Sequence, residues 1–438
     1  HAKMEQMQGM TTPAAPPAAP FSDAAREPGP GALVALGLAG FCAFLNVYTA
    51  QPLLPLLSAT FRASKAATGL TVSAPNLAVA LFAPLVGAWA VRFPLHRVIG
   101  AALAAMVVPT LLAATATSLP VLVAWRFAQG LAVPGVYAVG VAYAASVWPP
   151  SSLGRATAAL VTGNVLGGFV GRAVAGVAAD LAGWRAAFIA LGILTAAGAV
   201  ATWRLLPPAA GPRGGEPPSA WRSGAALLRS GPVVATLGVG FAVLFTQVAT
   251  FTYVTYHLAG PRFGLGSSGL SAIFGVYLVG AAVTPPVGAW IARLGPRRIL
   301  GLSLAVGLVG SALTLVPALW SIVLGLALSC SASFVNQAAA TSYLPGAVDP
   351  EHRGAASGLY IASYYLGGAV GGVLPASAWA VGGWPACVVL IAAAQVVTLA
   401  LALRWWARAL PGAPGSPPPP APRPEPAPGI PASLTGGV

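Results

Sequence analysis

Acidic residues are the scarcest chemistry in this chain: eight Asp and Glu among 438 residues, against 22 Lys and Arg. Charged residues make up 7% of the sequence, where a soluble domain carries about 25%. A soluble helical protein needs charged outer faces on its helices, and so little charge cannot supply them. Cysteine is nearly absent as well. Cys42, Cys330 and Cys387 all fall within apolar runs and at no metal-ligand spacing, which excludes a disulfide framework and a thiolate metal site. No His/Asp/Glu cluster and no nucleophile with a base in reach stands out, so an integral membrane enzyme would lack its catalytic constellation. No catalytic residue, metal ligand or cofactor is expected. Lysine is represented only by Lys3 and Lys65, and with abundant Ala, Gly and Pro this points to a GC-rich bacterial genome.

What is present is apolar: hydrophobic residues make up 57% of the chain. Runs of roughly 20 such residues, enough to cross a bilayer as helix, recur throughout. The pattern predicts an all-α, polytopic membrane protein with twelve spans near 32–57, 66–91, 98–117, 120–146, 154–179, 186–206, 233–257, 268–292, 299–317, 320–344, 355–379 and 385–406.

The chain also repeats. Pro84 to Gly100 (PLVGAWAVRFPLHRVIG) reappears 201 positions later as Pro285 to Gly301 (PPVGAWIARLGPRRILG). At an offset of 200, Leu166-Gly167-Gly168, Val170-Gly171 and Gly183-Trp184 match Leu366-Gly367-Gly368, Val370-Gly371 and Gly383-Trp384. Two pseudo-symmetric six-helix bundles follow, at 32–206 and 232–408. A cytoplasmic connector at 207–231, flexible over 207–219, joins them, and Pro/Ala/Gly-rich tails at 1–31 and 409–438 are expected to be disordered. The first thirty residues lack the basic start, apolar run and cleavage site of a signal peptide.

Arginine sets the orientation. With twelve spans both tails lie on one side, which collects Lys3, Arg26, Arg92, Arg97, Arg155, Arg204, Arg213, Arg222, Arg229, Arg293, Arg297, Arg298, Arg353, Arg404, Arg408 and Arg423, whereas the other side has Arg62, Lys65, Arg185 and Arg262. The positive-inside rule then places both termini in the cytoplasm of a bacterial inner membrane. The net charge of +14 reads as topology plus attraction to anionic lipid, with the bilayer as a partner. No basic patch interleaved with aromatics on a soluble face marks a nucleic-acid partner.

Polar side chains inside hydrocarbon are costly and mark function or interhelical bonding. Helical spacing gathers Arg126, Gln129 and Tyr137 in the fourth span, and Asn164 and Arg172 in the fifth. It also gathers Gln247, Tyr253 and His257 in the seventh, and Asn336 and Gln337 in the tenth. Asn46 and Gln51 in the first span and Tyr364 in the eleventh complete a candidate substrate cavity. Arg126 has an alternative structural role, bonding backbone carbonyls of the first span. All eight acids lie in tails, loops or span edges. The cavity should therefore prefer anionic or neutral solutes, and proton coupling would have to use Asp180, His257 or the solute.

These residues resemble the major facilitator superfamily. The duplicated Gly-Ala-Trp...Arg...Arg element falls where that superfamily carries G-x-L-x-D-R-x-G-R-R, after the second and eighth spans. Arg126-Phe-Ala-Gln129-Gly130 is similar to its fourth-span R-x-x-x-G motif, and Gly163-x-x-x-Gly167-Gly168-x-x-Gly171 to its fifth-span antiporter motif. Gln51-Pro-Leu-Leu-Pro55, GNVLGGFVGR with the following Asp180, and GLYIASYYLGG (358–368) resemble the YnfM-like bacterial subgroup. The resemblance implies alternating access by the two bundles and efflux of a small organic solute, usually by proton antiport. It also implies a cytoplasmic gate at Gly87, Arg92, Arg97, Gly288, Arg293, Arg297 and Arg298. The signature's Asp is replaced by Val91 and Ala292, which departs from the superfamily's usual latch. An importer of an organic anion and a non-transporting membrane sensor are the competing readings, and a monomer is expected.

Overall fold

The computed structural model describes residues 29–90, 92–209 and 226–406. Most of the expected tails and connector, at 1–28, 210–225 and 407–438, lies outside the described residues, as does Val91. Among the described residues there are helices and no strands. In chain order they are α1 (Pro30–Val47), α2 (Leu54–Phe61), α3 (Lys65–Ala90), α4 (Leu95–Ala113), α5 (Leu119–Val147), α6 (Pro150–Leu205) and α7 (Gly231–Leu258). There follow α8 (Ser267–Ile273), α9 (Val276–Val283), α10 (Val287–Leu294), α11 (Pro296–Leu313), α12 (Leu319–Tyr343), α13 (Arg353–Val373) and α14 (Pro375–Trp405).

Nine described helical stretches are long and apolar enough to cross a membrane, or ten when α8 to α10, bent by 52°, count as one span. The bend falls at Pro285-Pro286, where two consecutive residues lack the amide that would continue the helix. α6 counts once although its 56 residues contain a break at Ala182 and Gly183. At 1.5 Å per residue it is about 84 Å long, more than two bilayer crossings. α13 is too rich in Gly, Ser and Tyr to count at all. The expected twelve spans would require dividing α6 at its break and adding α13.

The repeat is visible in local geometry. Gly183 has φ +82° and Gly383 φ +61°, so both copies turn at a residue in the left-handed region that favours glycine. α1 crosses α6 at the Gly163, Gly167 and Gly171 ladder, where an added methyl would overlap the carbonyls of Gly37, Phe41 and Leu45. α7 crosses α13 the same way, with Gly367 and Gly371 against the carbonyls of Phe241 and Phe245. At the third rung Ser363 replaces glycine, and its hydroxyl donates to Leu237 C=O at 2.9 Å. Such close backbone approach is how helices associate where lipid removes the hydrophobic drive.

The chain forms two compact units. One holds the described residues before Pro217 together with Thr255–Leu278. The other holds those from 226 to Val254 together with those from Val279 onward. The first has a buried cluster around Leu45, Leu57, Leu122, Trp184 and Phe188. The second buries Leu300, Leu304, Tyr343, Tyr360 and Trp406, with Tyr343 and Trp406 stacked at 4.3 Å.

Candidate functional site

The first unit centres on Arg126, which has no solvent exposure. Its partners are backbone carbonyls set free by local sequence. α1 ends at Val47, so its last carbonyls have no helical partner. The guanidinium Nη1 donates to Asn46 C=O at 2.6 Å, and Nη2 to Val47 C=O. In α3 the residue four positions after Thr71 is Pro75, which has no amide to offer. Thr71 C=O instead accepts from Arg126 Nε at 2.9 Å. Nη1 also donates to Gln129 Oε1, whose Nε2 donates to Thr110 Oγ1 at 2.8 Å. Thr110 donates to Asn46 Oδ1, and Asn46 Nδ2 to Thr195 Oγ1 at 2.8 Å. The predicted trio Asn46, Arg126 and Gln129 is thus one buried network pinning α1, α3, α4, α5 and α6. Hydrogen bonds to a charged donor contribute about 1.5–3 kcal/mol each. Among the described residues no carboxylate joins it, so carbonyl dipoles at the negative end of α1 stabilise the positive charge without cancelling it.

Arg172 is 1% exposed and lies apart from that network. Its Nε donates to Gln51 Oε1 at 2.9 Å and its Nη1 to Gly168 C=O at 2.7 Å. The rings of Tyr48, Phe274 and Tyr277 surround the guanidinium at 4.9, 4.8 and 4.5 Å. Each such cation–π contact contributes up to about 2 kcal/mol when desolvated. Asp180, exposed two residues before the break in α6, accepts the backbone amides of Ser267 at 3.1 Å and Ser268 at 2.8 Å. Slight burial pushes its carboxyl upward, but the hydrogen bonds from Ser268 and Ser267 outweigh this and hold it below the usual carboxylate range.

The other predicted residues fall into smaller groups. Asn164 packs on Gly40 of α1, with its amide nitrogen facing Leu160 C=O and Gly40 C=O. Tyr137 is half-buried, edge-on to Phe44. In the second unit Asn336 accepts from Ser303 Oγ. Gln337 Oε1 accepts from Tyr364 at 3.4 Å, Tyr253 donates to Gly372 C=O at 3.1 Å, and Gln247 is half-buried. Gln395 on α14 was not anticipated. It is 7% exposed against Gly307, and its Oε1 has no hydrogen-bond partner among the described residues.

Of the expected gate residues, Gly87 lies within α3, and Arg92, Arg97, Gly288, Arg293 and Arg298 are exposed. Arg297 donates to the carbonyls of Leu403 at 2.7 Å and Trp406 at 3.0 Å, so it caps the end of α14 within its own unit. Among the described residues no group of three His, Cys, Asp or Glu could hold a metal ion.

A sequence model described as the Major Facilitator Superfamily matches residues 36–284 and 258–437. The chain is 28% identical to the uncharacterized MFS-type transporter YybF of Bacillus subtilis, over 82% of this chain and 90% of that protein. It is 29% identical to the inner membrane transport protein YnfM of Escherichia coli, over 85% of this chain and 89% of that protein. The crystal structure of a bacterial homologue of the human lysosomal transporter Spinster superposes with a TM-score of 0.67 at 18% identity, covering 85% of this chain and 94% of that one. That structural likeness gives a shared fold, and the sequence match spans most of the chain. The chain belongs to the Major Facilitator Superfamily.

Proposed function

We propose that this protein is a secondary transporter that exports a small anionic or neutral organic solute across the bacterial inner membrane. It acts as a monomer by alternating access, with both termini cytoplasmic and no enzymatic step. The observation that carries the solute class is the interior of the first unit, where Arg126 is buried with amides, hydroxyls and carbonyls and, among the described residues, no carboxylate. An unneutralised buried cation leaves a positive potential that opposes entry of a second cation. Because Asn46, Arg126 and Gln129 spend their polar atoms on one another, the solute contacts are assigned to the polar side chains left half-buried. These are Tyr137 in the first unit and Gln247, Gln337 and Tyr364 in the second. The export direction rests on the likeness of GNVLGGFVGR to an antiporter motif.

The test is flux in proteoliposomes and in membrane vesicles of both orientations, with a fluorescein-type organic anion and a lipophilic cation as probes. Anion accumulation in inside-out vesicles is the expected result. Preference for the cation would overturn the solute class, and accumulation only in right-side-out vesicles would make the protein an importer. If an imposed pH gradient drives flux, His257 and the solute itself are the candidate proton carriers.

A further inference from the structure

The geometry points to a latched outer strap: Thr255–Leu278 is held over the outer end of the first unit by Asp180 and Arg172, and its release opens the protein to the outside. By sequence this segment belongs to the second repeat, and it is continuous at both ends with helices α7 and α9 that run on into the second unit. By packing it belongs to the first unit.

Four kinds of contact hold it there. The Asp180 carboxylate accepts the amides of Ser267 and Ser268, the first residues of α8, whose own preceding residue Gly266 offers no side-chain cap. Ser271 Oγ donates to Arg172 C=O at 2.7 Å. Phe274 and Tyr277 supply two of the three rings around the Arg172 guanidinium. Tyr256 shares a hydrogen bond with Thr68 at 2.5 Å. Gly176 makes the approach possible, since a methyl there would overlap Ser271 and the carbonyl of Ser267. The repeat does not demand this arrangement. The counterparts of Asp180 and Arg172 are Ala380 and Gly372, so the latch chemistry is present in one copy alone.

Asp180 is a positioning residue in this device, acting through the strap. The proposal rests on the transporter reading, and its test needs no solute. Two reporters are introduced separately into the full-length protein in native membranes. Ser271→Cys puts a thiol on the buried face of the strap and removes the Ser271 contact in parent and variant alike, so the comparison isolates Asp180, and Gly358→Cys on α13 sits where an added side chain meets nothing within 4 Å. Labelling by a membrane-impermeant maleimide is measured from the outer face for the first and from the inner face, in inside-out vesicles, for the second.

Adding Asp180→Asn is expected to raise outer labelling about fivefold, the shift given by losing one of the two accepted amide bonds, since the substituted side chain keeps a single acceptor oxygen, while inner labelling falls. Unchanged outer labelling would overturn the latch, and a rise at both reporters would reduce it to general loosening and overturn it equally. Should Asp180→Asn fail to accumulate, Ser267→Pro removes one accepted amide at the first helical position, where proline is tolerated, and the same two outcomes apply. Reciprocal labelling without flux would sink the solute reading and leave the strap. Flux with unresponsive labelling would do the reverse.

Discussion

α1 stops at Val47, whereas its counterpart α7 runs through the equivalent Gln247 to Leu258 without interruption. The residue facing that region differs accordingly. Arg126 satisfies the open carbonyls of α1, while Leu326, at the matching place in α12, is fully buried and bonds nothing. A second exchange runs along the fifth and eleventh spans. Arg172 stands with Leu53 in the first unit, and Gly372 with Tyr253 in the second, so a large polar side chain has moved from one helix to its neighbour. One repeat therefore supports two solutions. The first half answers the early end of α1 with a buried arginine, and the second lets α7 run on, with Tyr253 and Ser363 supplying the bonds to carbonyls of α13 and α7.

The largest expected effect comes from forcing one solution onto the other half. Arg126→Leu, which copies the second unit, should strand the carbonyls of Val47 and Thr71 at about 1–3 kcal/mol each and leave Asn46 C=O to the Thr49 hydroxyl at 3.1 Å. A collapse of expression, or a large fall in thermal midpoint in detergent, is expected. A midpoint near the parent's would show that the network is dispensable. Next come Gly167→Ala and Gly367→Ala, which drive a methyl into the carbonyls of Phe41 and Phe241. Both should lower the midpoint by similar amounts, since this crossing is the part the halves share, and unequal losses would break the equivalence. Gly163→Ser should also destabilise, although Ser is native at 363, because Gly163 approaches Gly37 too closely for any side chain. By contrast, Ser363→Gly should cost only about 0.5–1.5 kcal/mol, the contribution of one hydrogen bond, read as a small midpoint shift.

The smallest effect concerns pH. A carboxyl held below its usual value contributes fully above that value and loses its contribution only as pH falls through the lowered one. Asp180 starts from 3.8 and is shifted down. The ratio of outer labelling between Asp180→Asn and parent should thus stay flat from about pH 8 to about pH 5. A ratio that collapsed within that range would contradict the hydrogen-bonded, ionised latch.

Much of the fold was legible because the duplicated segments announce two halves and the apolar runs announce spans. The stripe of Arg126 and Gln129 was legible from helical spacing, as was the alternative that Arg126 bonds carbonyls of the first span. Its full set of partners was only half written in the sequence. Pro75 four residues after Thr71 signals a released carbonyl, but the end of α1 at Val47 depends on packing. Asp180 stood out as an acid at a span edge, yet nothing local ties it to amides 87 and 88 positions away. Gln395 escaped because a lone amide in an apolar run has no pattern around it.

The proline at 75 carries a consequence for how the protein is made. α3 cannot complete its own bonding, because the missing bond is supplied by a side chain two spans later in the chain. Until Arg126 has entered the membrane and docked, α1 and α3 both carry open carbonyls in an environment without water to satisfy them. Synthesis runs from the first span onward, so the early helices wait for the fourth. Assembly of the first half is thereby tied to the arrival of a single arginine.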